Sequence, residues 1–141
     1  MKQIIKKIKN RIQLETAHAH CDIPCGIYET DTITHGVETL KSMTTKLKEL
    51  EGKTDLQNLN TITRMIKTKE DWAQKTKEEI LILWTDYFKP EHLQKNPELH
   101  QKIWQACKTC SKIKREINIQ AVEELENQTQ EIKKIFQETK N

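Results

Sequence analysis

From Thr34 onward, apolar side chains recur every three or four residues, the period of a helix with one buried face. Val37, Leu40, Met43, Leu47 and Leu50 form the first stripe, and Gly52 stops it. Asp55 suits the N-cap of a longer second helix. Its stripe runs through Leu56, Leu59, Ile62, Ile66, Ala73, Ile80, Leu83, Trp84 and Tyr87 and ends before Pro90. The stripe thins between Lys67 and Glu79, which predicts a kink or partial exposure there. Asn96-Pro97-Glu98 reads as a third helix start, with a cap, a proline at the first helical position and an early acid. Leu99, Ile103, Ala106, Cys110, Ile113 and Ile117 follow as a nearly strict heptad seam. Asn118 breaks it, and Val122, Leu125, Thr129, Ile132, Ile135 and Phe136 make a fourth stripe. Four such helices with short joints predict an all-α chain built as an antiparallel four-helix bundle over residues 34–141. The run Ile80-Leu81-Ile82-Leu83-Trp84 is more apolar than one stripe needs. It suits a helix central to its own bundle, or a subunit interface.

Two further segments precede the bundle. Residues 20–33 hold Pro24, Gly26 and several threonines and aspartates, which read as an irregular hook. Residues 1–19 carry Ile4, Ile5, Ile8 and Ile12 at helical spacing with lysines between them, a short basic amphipathic stretch. It lacks the continuous apolar core of a secretory signal, but Ala17-His18-Ala19 has the small residues of a cleavage site. A removable pro-segment, a frayed first helix and an organelle-targeting or membrane-surface peptide all fit this pattern.

Composition agrees with a helical chain: 32% of residues are charged, 5% aromatic, and glycine and proline are scarce. No apolar run approaches the roughly 20 residues that span a bilayer. The formal charge of +3 misleads, because residues 1–19 hold five basic side chains against Glu15 alone. Of the 24 basic and 21 acidic residues, 19 and 20 remain beyond the leader, a net −1. Nucleic acid is therefore not an expected partner, since phosphate binding needs a positive working surface.

The chemistry concentrates in His20-Cys21-Asp22-Ile23-Pro24-Cys25. Cleavage before His20 adds a free amine to an imidazole and two thiols. The His20 amine, the Cys21 amide nitrogen and the Cys21 thiolate form fused chelate rings, and the Ile23-Pro24 turn brings the Cys25 thiolate back to the same ion. Gly26 allows backbone conformations closed to other residues. Planar nitrogen and sulfur donors suit Ni(II) or Cu(II), whereas zinc prefers a tetrahedron of side chains. Two other readings stand beside this one. Cys21 and Cys25 can pair as a disulfide, or join Cys107 and Cys110 in a structural four-cysteine zinc site on a non-catalytic bundle. A third is a scaffold whose leader binds membranes.

The hook, continuing through Gly26-Ile27-Tyr28, closely resembles the nickel-binding hook of nickel-containing superoxide dismutases. The stretch Leu83-Trp84-Thr85-Asp86-Tyr87-Phe88-Lys89-Pro90-Glu91-His92, then Pro97-Glu98-Leu99-His100 and the tail Ile135-Phe136-Gln137-Glu138-Thr139-Lys140, resembles the same family in order. The resemblance implies a precursor trimmed by a processing peptidase so that His20 comes first. It implies a homohexamer of bundles with one nickel ion per subunit, held by His20 (amine and imidazole), Cys21 (amide and thiolate) and Cys25 (thiolate). The implied reaction is disproportionation of superoxide to oxygen and hydrogen peroxide through a Ni(II)/Ni(III) cycle. Tyr28 and Tyr87 match the tyrosines that limit access and order water, and the Asp22 and Cys25 amides would line the approach.

Plainer readings of the same residues hold as well. Tyr87 lies on an apolar stripe and suits a core tyrosine with a bonded hydroxyl. Tyr28 can simply pin the hook, and Asp22 can simply solvate the turn. Lys89 can attract an anion, while His35, His92 and His100 read as surface or capping residues and Cys110 as a small core residue. In one respect the chain departs from the family: Gly36 and Trp72 stand where a glutamate and an arginine hold the axial imidazole, which leaves Glu38 as a substitute to orient it. Thiols that must stay reduced favour the cytoplasm, with an organelle left open by the leader. No stable membrane association is expected after processing.

Overall fold

The computed structural model describes residues 26–140. The 1–19 leader and His20, Cys21, Asp22, Ile23, Pro24 and Cys25 lie outside the described residues. Within them the chain forms α1 (Asp31–Glu49), α2 (Leu56–Ile82), a π-helical turn (Leu83–Tyr87), α3 (Pro90–Lys95), α4 (Leu99–Arg115) and α5 (Ile119–Thr139). The long helices pack in a ring, α1 on α2, α2 on α4, α4 on α5 and α5 on α1. Cross-links between neighbours run in opposite senses along each pair. Lys41 reaches Glu126 while Thr34 meets Lys133. Lys77 reaches Ser111 while Lys69 meets the carbonyls of Lys114 and Glu116. Both of these pairs are thus antiparallel, and the all-α bundle is the one expected.

Helix α1 starts at Asp31, three residues before the periodicity suggests. The Thr34 N–H closes the first turn on the Thr30 carbonyl at 3.0 Å, and Asp31 sits in the positive first turn. Asp55 caps α2 as expected, accepting from the Asn58 N–H at 3.1 Å. The Asn96 side chain, by contrast, does not cap α4. Its amide points back to the His92 carbonyl at 3.4 Å, while its own carbonyl accepts from the Leu99 N–H at 3.0 Å. The segment between, α3, is a short helix opened by Pro90 and capped by His92, whose Nδ1 accepts from the Lys89 N–H at 3.2 Å.

The core follows the predicted stripes on α4 and α5, where Leu99, Ile103, Ala106, Cys110, Ile113, Val122, Leu125, Ile132 and Phe136 are buried. On α2 the stripe fails at its first turns, where the helix outruns its neighbour. At 27 residues α2 is about 40 Å long, against about 25 Å for the 17-residue α4. Its first turns overhang, so Leu56 and Leu59 are 84% and 46% exposed. Ile117 is also 40% exposed, because it lies beyond α4 in the joint to α5. The stretch from Lys67 to Glu79 neither kinks nor leaves the bundle. It is continuous helix, with Lys69, Ala73 and Thr76 buried.

Lys69 explains the gap in the hydrophobic pattern. It is 2% exposed and donates to the carbonyls of Ile113, Lys114 (3.1 Å) and Glu116 (3.2 Å). A lysine from α2 thereby terminates α4, satisfying carbonyls that a helix end leaves unpaired. Burial pushes the Lys69 amine below its ordinary value. Lys69→Met would leave those acceptors buried and unpaired, and should lower unfolding free energy by about 1–3 kcal/mol in denaturant titration. Gly36 lets α1 and α2 approach closely: a Cβ there would collide with Thr76 Oγ1, which itself donates to the Trp72 carbonyl at 2.7 Å. Gly36→Ala should therefore destabilise the fold by about 1–3 kcal/mol, read as a lower unfolding midpoint, and Gly36→Ala with Thr76→Ala should recover most of the loss.

Candidate functional site

The chain enters the bundle at Gly26, whose φ of +66° is left-handed backbone. No heavy atom lies within 4 Å of an added Cβ there, so the glycine serves conformation and not space. Two residues later the half-buried Tyr28 packs its ring 5.5 Å from that of Tyr87, tilted by 56°. Two candidate residues 59 positions apart in the sequence are thus brought together.

Tyr87 owes its position to the π turn. The Phe88 N–H bonds to the Leu83 carbonyl at 2.9 Å, one residue further back than in an α-helix. That extra residue lets Leu83 and Phe88 both reach the core and leaves Tyr87 half-buried at the end of the bundle. There its ring meets Phe136 at 4.6 Å, Phe88 at 5.2 Å and His92 at 5.7 Å, the last nearly parallel. Its hydroxyl lies 2.9 Å from Thr139 Oγ1. One residue on, Lys140 Nζ donates to the Tyr28 carbonyl at 2.7 Å and sits 4.4 Å from the Phe136 ring centre. The end of α5 thus holds both tyrosines. Composition and spacing did not single out Thr139 or Lys140; the signal that reached them was the tail motif Ile135–Lys140.

The candidate metal ligands His20, Cys21 and Cys25 lie outside the described residues, with Cys25 three positions before Tyr28 in the sequence. The donor set fits nickel chemically: two thiols and an imidazole, joined by a terminal amine were the chain cut before His20, would supply the sulfur and nitrogen donors that ion favours. Among the described residues no three His, Cys, Asp or Glu side chains form a ligand cluster. Cys107 and Cys110 are free and buried. Burial pushes the Cys107 thiol up and the Cys110 thiol up to about 12. The four-cysteine zinc reading is not supported, and both side chains pack in the hydrophobic core of the bundle.

The other candidates divide by environment. His92 is a cap, His100 packs 5.7 Å from Trp84, and the His35 ring meets Trp72 edge-on at 5.0 Å. Gly36 and Trp72 are neighbours across α1 and α2, with a Gly36 Cβ falling 3.6 Å from the Trp72 ring. The place of a charged pair is therefore taken by a close apolar contact. Glu38 and Lys89 are exposed. Leu81 and Trp104, exposed on α2 and α4, flank the Trp84–His100 pair. Next to Trp84 an open groove of about 740 Å³ is walled mainly by apolar residues such as Phe88 and Leu93, with Lys89 and Gln94 also in its lining. The apolar run at the end of α2 thus serves the core through Ile80 and Leu83 and presents Leu81 outward. No helix among the described residues is long and apolar enough to cross a membrane.

The raised thiol pKa values carry a labelling prediction. A thiol raised above its ordinary value is protonated at pH 8, where the unfolded chain already ionises in part. Native protein should therefore leave Cys107 and Cys110 unmodified by iodoacetamide at pH 8, and denaturant should expose both, as read by mass spectrometry of peptides.

The family model described as nickel-containing superoxide dismutase matches residues 15–140. The chain is 35% identical over 125 residues to a superoxide dismutase [Ni] of Streptomyces coelicolor, covering 89% of this chain and 91% of that one. It is 33% identical over 122 residues to the enzyme of the same name from Streptomyces seoulensis, with 86% and 88% covered. A native nickel superoxide dismutase structure superposes with a TM-score of 0.75 at 34% identity, covering 86% of this chain and 100% of that one.

Proposed function

The chain belongs to the nickel-containing superoxide dismutase family, and we propose that it disproportionates superoxide at a nickel site built by its own trimmed N-terminus. The family makes it an oxidoreductase with nickel as cofactor and superoxide as substrate. In this reading cleavage after Ala19 exposes His20. The His20 amine and imidazole, the Cys21 amide and thiolate, and the Cys25 thiolate then hold one nickel per chain. Bound there, nickel supplies the one-electron chemistry that converts superoxide to oxygen and hydrogen peroxide.

The chain's own residues set the conditions for that chemistry. Gly26 turns the backbone out of the hook, and the Lys140–Tyr28 bond fixes where it meets the bundle. Tyr28 and Tyr87, ring against ring, narrow the approach and order water. In the same reading the Asp22 and Cys25 backbone amides would line the approach. The observation that carries the reading is the juxtaposition of Tyr28 and Tyr87 three residues after the second hook cysteine, in a chain matched to the family from residue 15 to 140. Assembly into a homohexamer is supported by the exposed Leu81 and Trp104 and by the open, mainly apolar groove next to Trp84. A cytoplasmic home suits thiols that must stay reduced until nickel arrives.

The mechanism makes the amine essential, so processing controls loading. Protein beginning at His20 should bind one nickel per chain and show dismutase activity, whereas protein beginning at Met1 should do neither, as read by metal analysis beside a superoxide assay. Cys21→Ser and Cys25→Ser should each remove metal-dependent activity. An active, nickel-loaded protein that still carries residues 1–19 would defeat the proposal.

A further inference from the structure

Resting on the functional reading above, one more assignment concerns the direction of the Tyr87 hydroxyl hydrogen. Tyr87 Oη and Thr139 Oγ1 lie 2.9 Å apart, and either oxygen has a hydrogen to give. Thr139 has a second contact that decides between them. Its Oγ1 is 2.8 Å from the Phe136 carbonyl, one turn back along α5. A carbonyl only accepts, and a threonine hydroxyl has a single hydrogen. That hydrogen is committed to Phe136, a bond short hydroxyl side chains commonly make within helices. Tyr87 must therefore be the donor to Thr139.

We infer that Thr139 is a positioning residue that fixes Tyr87 as a hydrogen-bond donor to α5 and leaves the phenol oxygen only its lone pairs for any other molecule. The relay Tyr87 O–H to Thr139 O–H to Phe136 carbonyl runs one way and ends at an acceptor. Superoxide is an anion that can only accept hydrogen bonds, so Tyr87 offers it nothing while the relay is closed. Water and hydrogen peroxide carry O–H groups, and these are what the phenol oxygen receives. The surroundings keep the relay in place: Phe136 packs 4.6 Å from the Tyr87 ring, and Lys140 ties the same end of α5 to the Tyr28 carbonyl. Tyr87 thus organises solvent and product and does not clamp the bare substrate.

The chain has two tyrosines, so Tyr28→Phe leaves Tyr87 as its single phenol. In that background, ultraviolet resonance Raman of the full chain reads whether the phenol donates or accepts, from its C–O stretching band. The expected band is that of a donor. Thr139→Val should abolish the donor signature, Thr139→Ala should do the same without a branched side chain, and Thr139→Ser should restore it. Circular dichroism melting of each variant shows that the helices persist. A donor signature that survives in both the Val and Ala variants would overturn the inference while leaving the family reading intact. Loss of nickel-dependent activity in the unaltered protein would instead defeat that reading, and the Raman result would still stand on its own.

Discussion

One meeting of distant chain segments governs the working end of this molecule. Lys140 donates to the Tyr28 carbonyl across 112 positions of sequence, and the turn of helix that carries it also holds the Tyr87 hydroxyl through Thr139. The last turn of the last helix thus fixes both the first residues to enter the bundle and the end of the longest helix. Phe136 supplies the floor, with Tyr87 on its face and the Lys140 ammonium over its ring. The chain segment that begins at Gly26 therefore enters the bundle on a surface made by α5 and the π turn.

The two ends of the bundle are built to different standards. At the end that receives the hook, α1 starts, α5 finishes, and the π turn of α2 packs its aromatic side chains among them. At the other end α2 overhangs its neighbours, exposes Leu56 and Leu59, and relies on one buried lysine to finish α4. Between the two, Gly36 lets α1 and α2 approach until only a glycine fits beside Thr76. That close approach brings Trp72 to the spot where relatives are expected to carry charge. Neither Gly36 nor Trp72 carries a charge that could orient the His20 imidazole.

The four-helix architecture was legible because burial and periodicity agree wherever a helix has neighbours along its whole length, as on α4 and α5. The pattern misled where lengths differ: Leu56, Leu59 and Ile117 look like core residues in sequence but lie past the ends of their partners. Lys69 was invisible because a lysine on a stripe reads as a gap, and only the arrival of three carbonyls from α4 makes its burial favourable. The π turn left no periodic trace, since one extra residue in one turn shifts the stripe by less than the pattern resolves. The hook's candidate ligands rest on local chemistry alone, since donors within six residues need no fold to bring them together. Tyr28 and Tyr87 were named from motif, but Thr139 and Lys140, which hold them, act through contacts that spacing alone does not encode.

In the proposed enzyme, sulfur and nitrogen from the first six residues of the trimmed chain would hold the reactive metal, with the bundle as a fixed support. Nickel K-edge X-ray absorption on protein beginning at His20 addresses it directly. The account predicts two sulfur scatterers together with nitrogen in the first shell, and one sulfur fewer when Cys21 or Cys25 is replaced by serine. A first shell made only of nitrogen and oxygen, or one unchanged by both replacements, would contradict it.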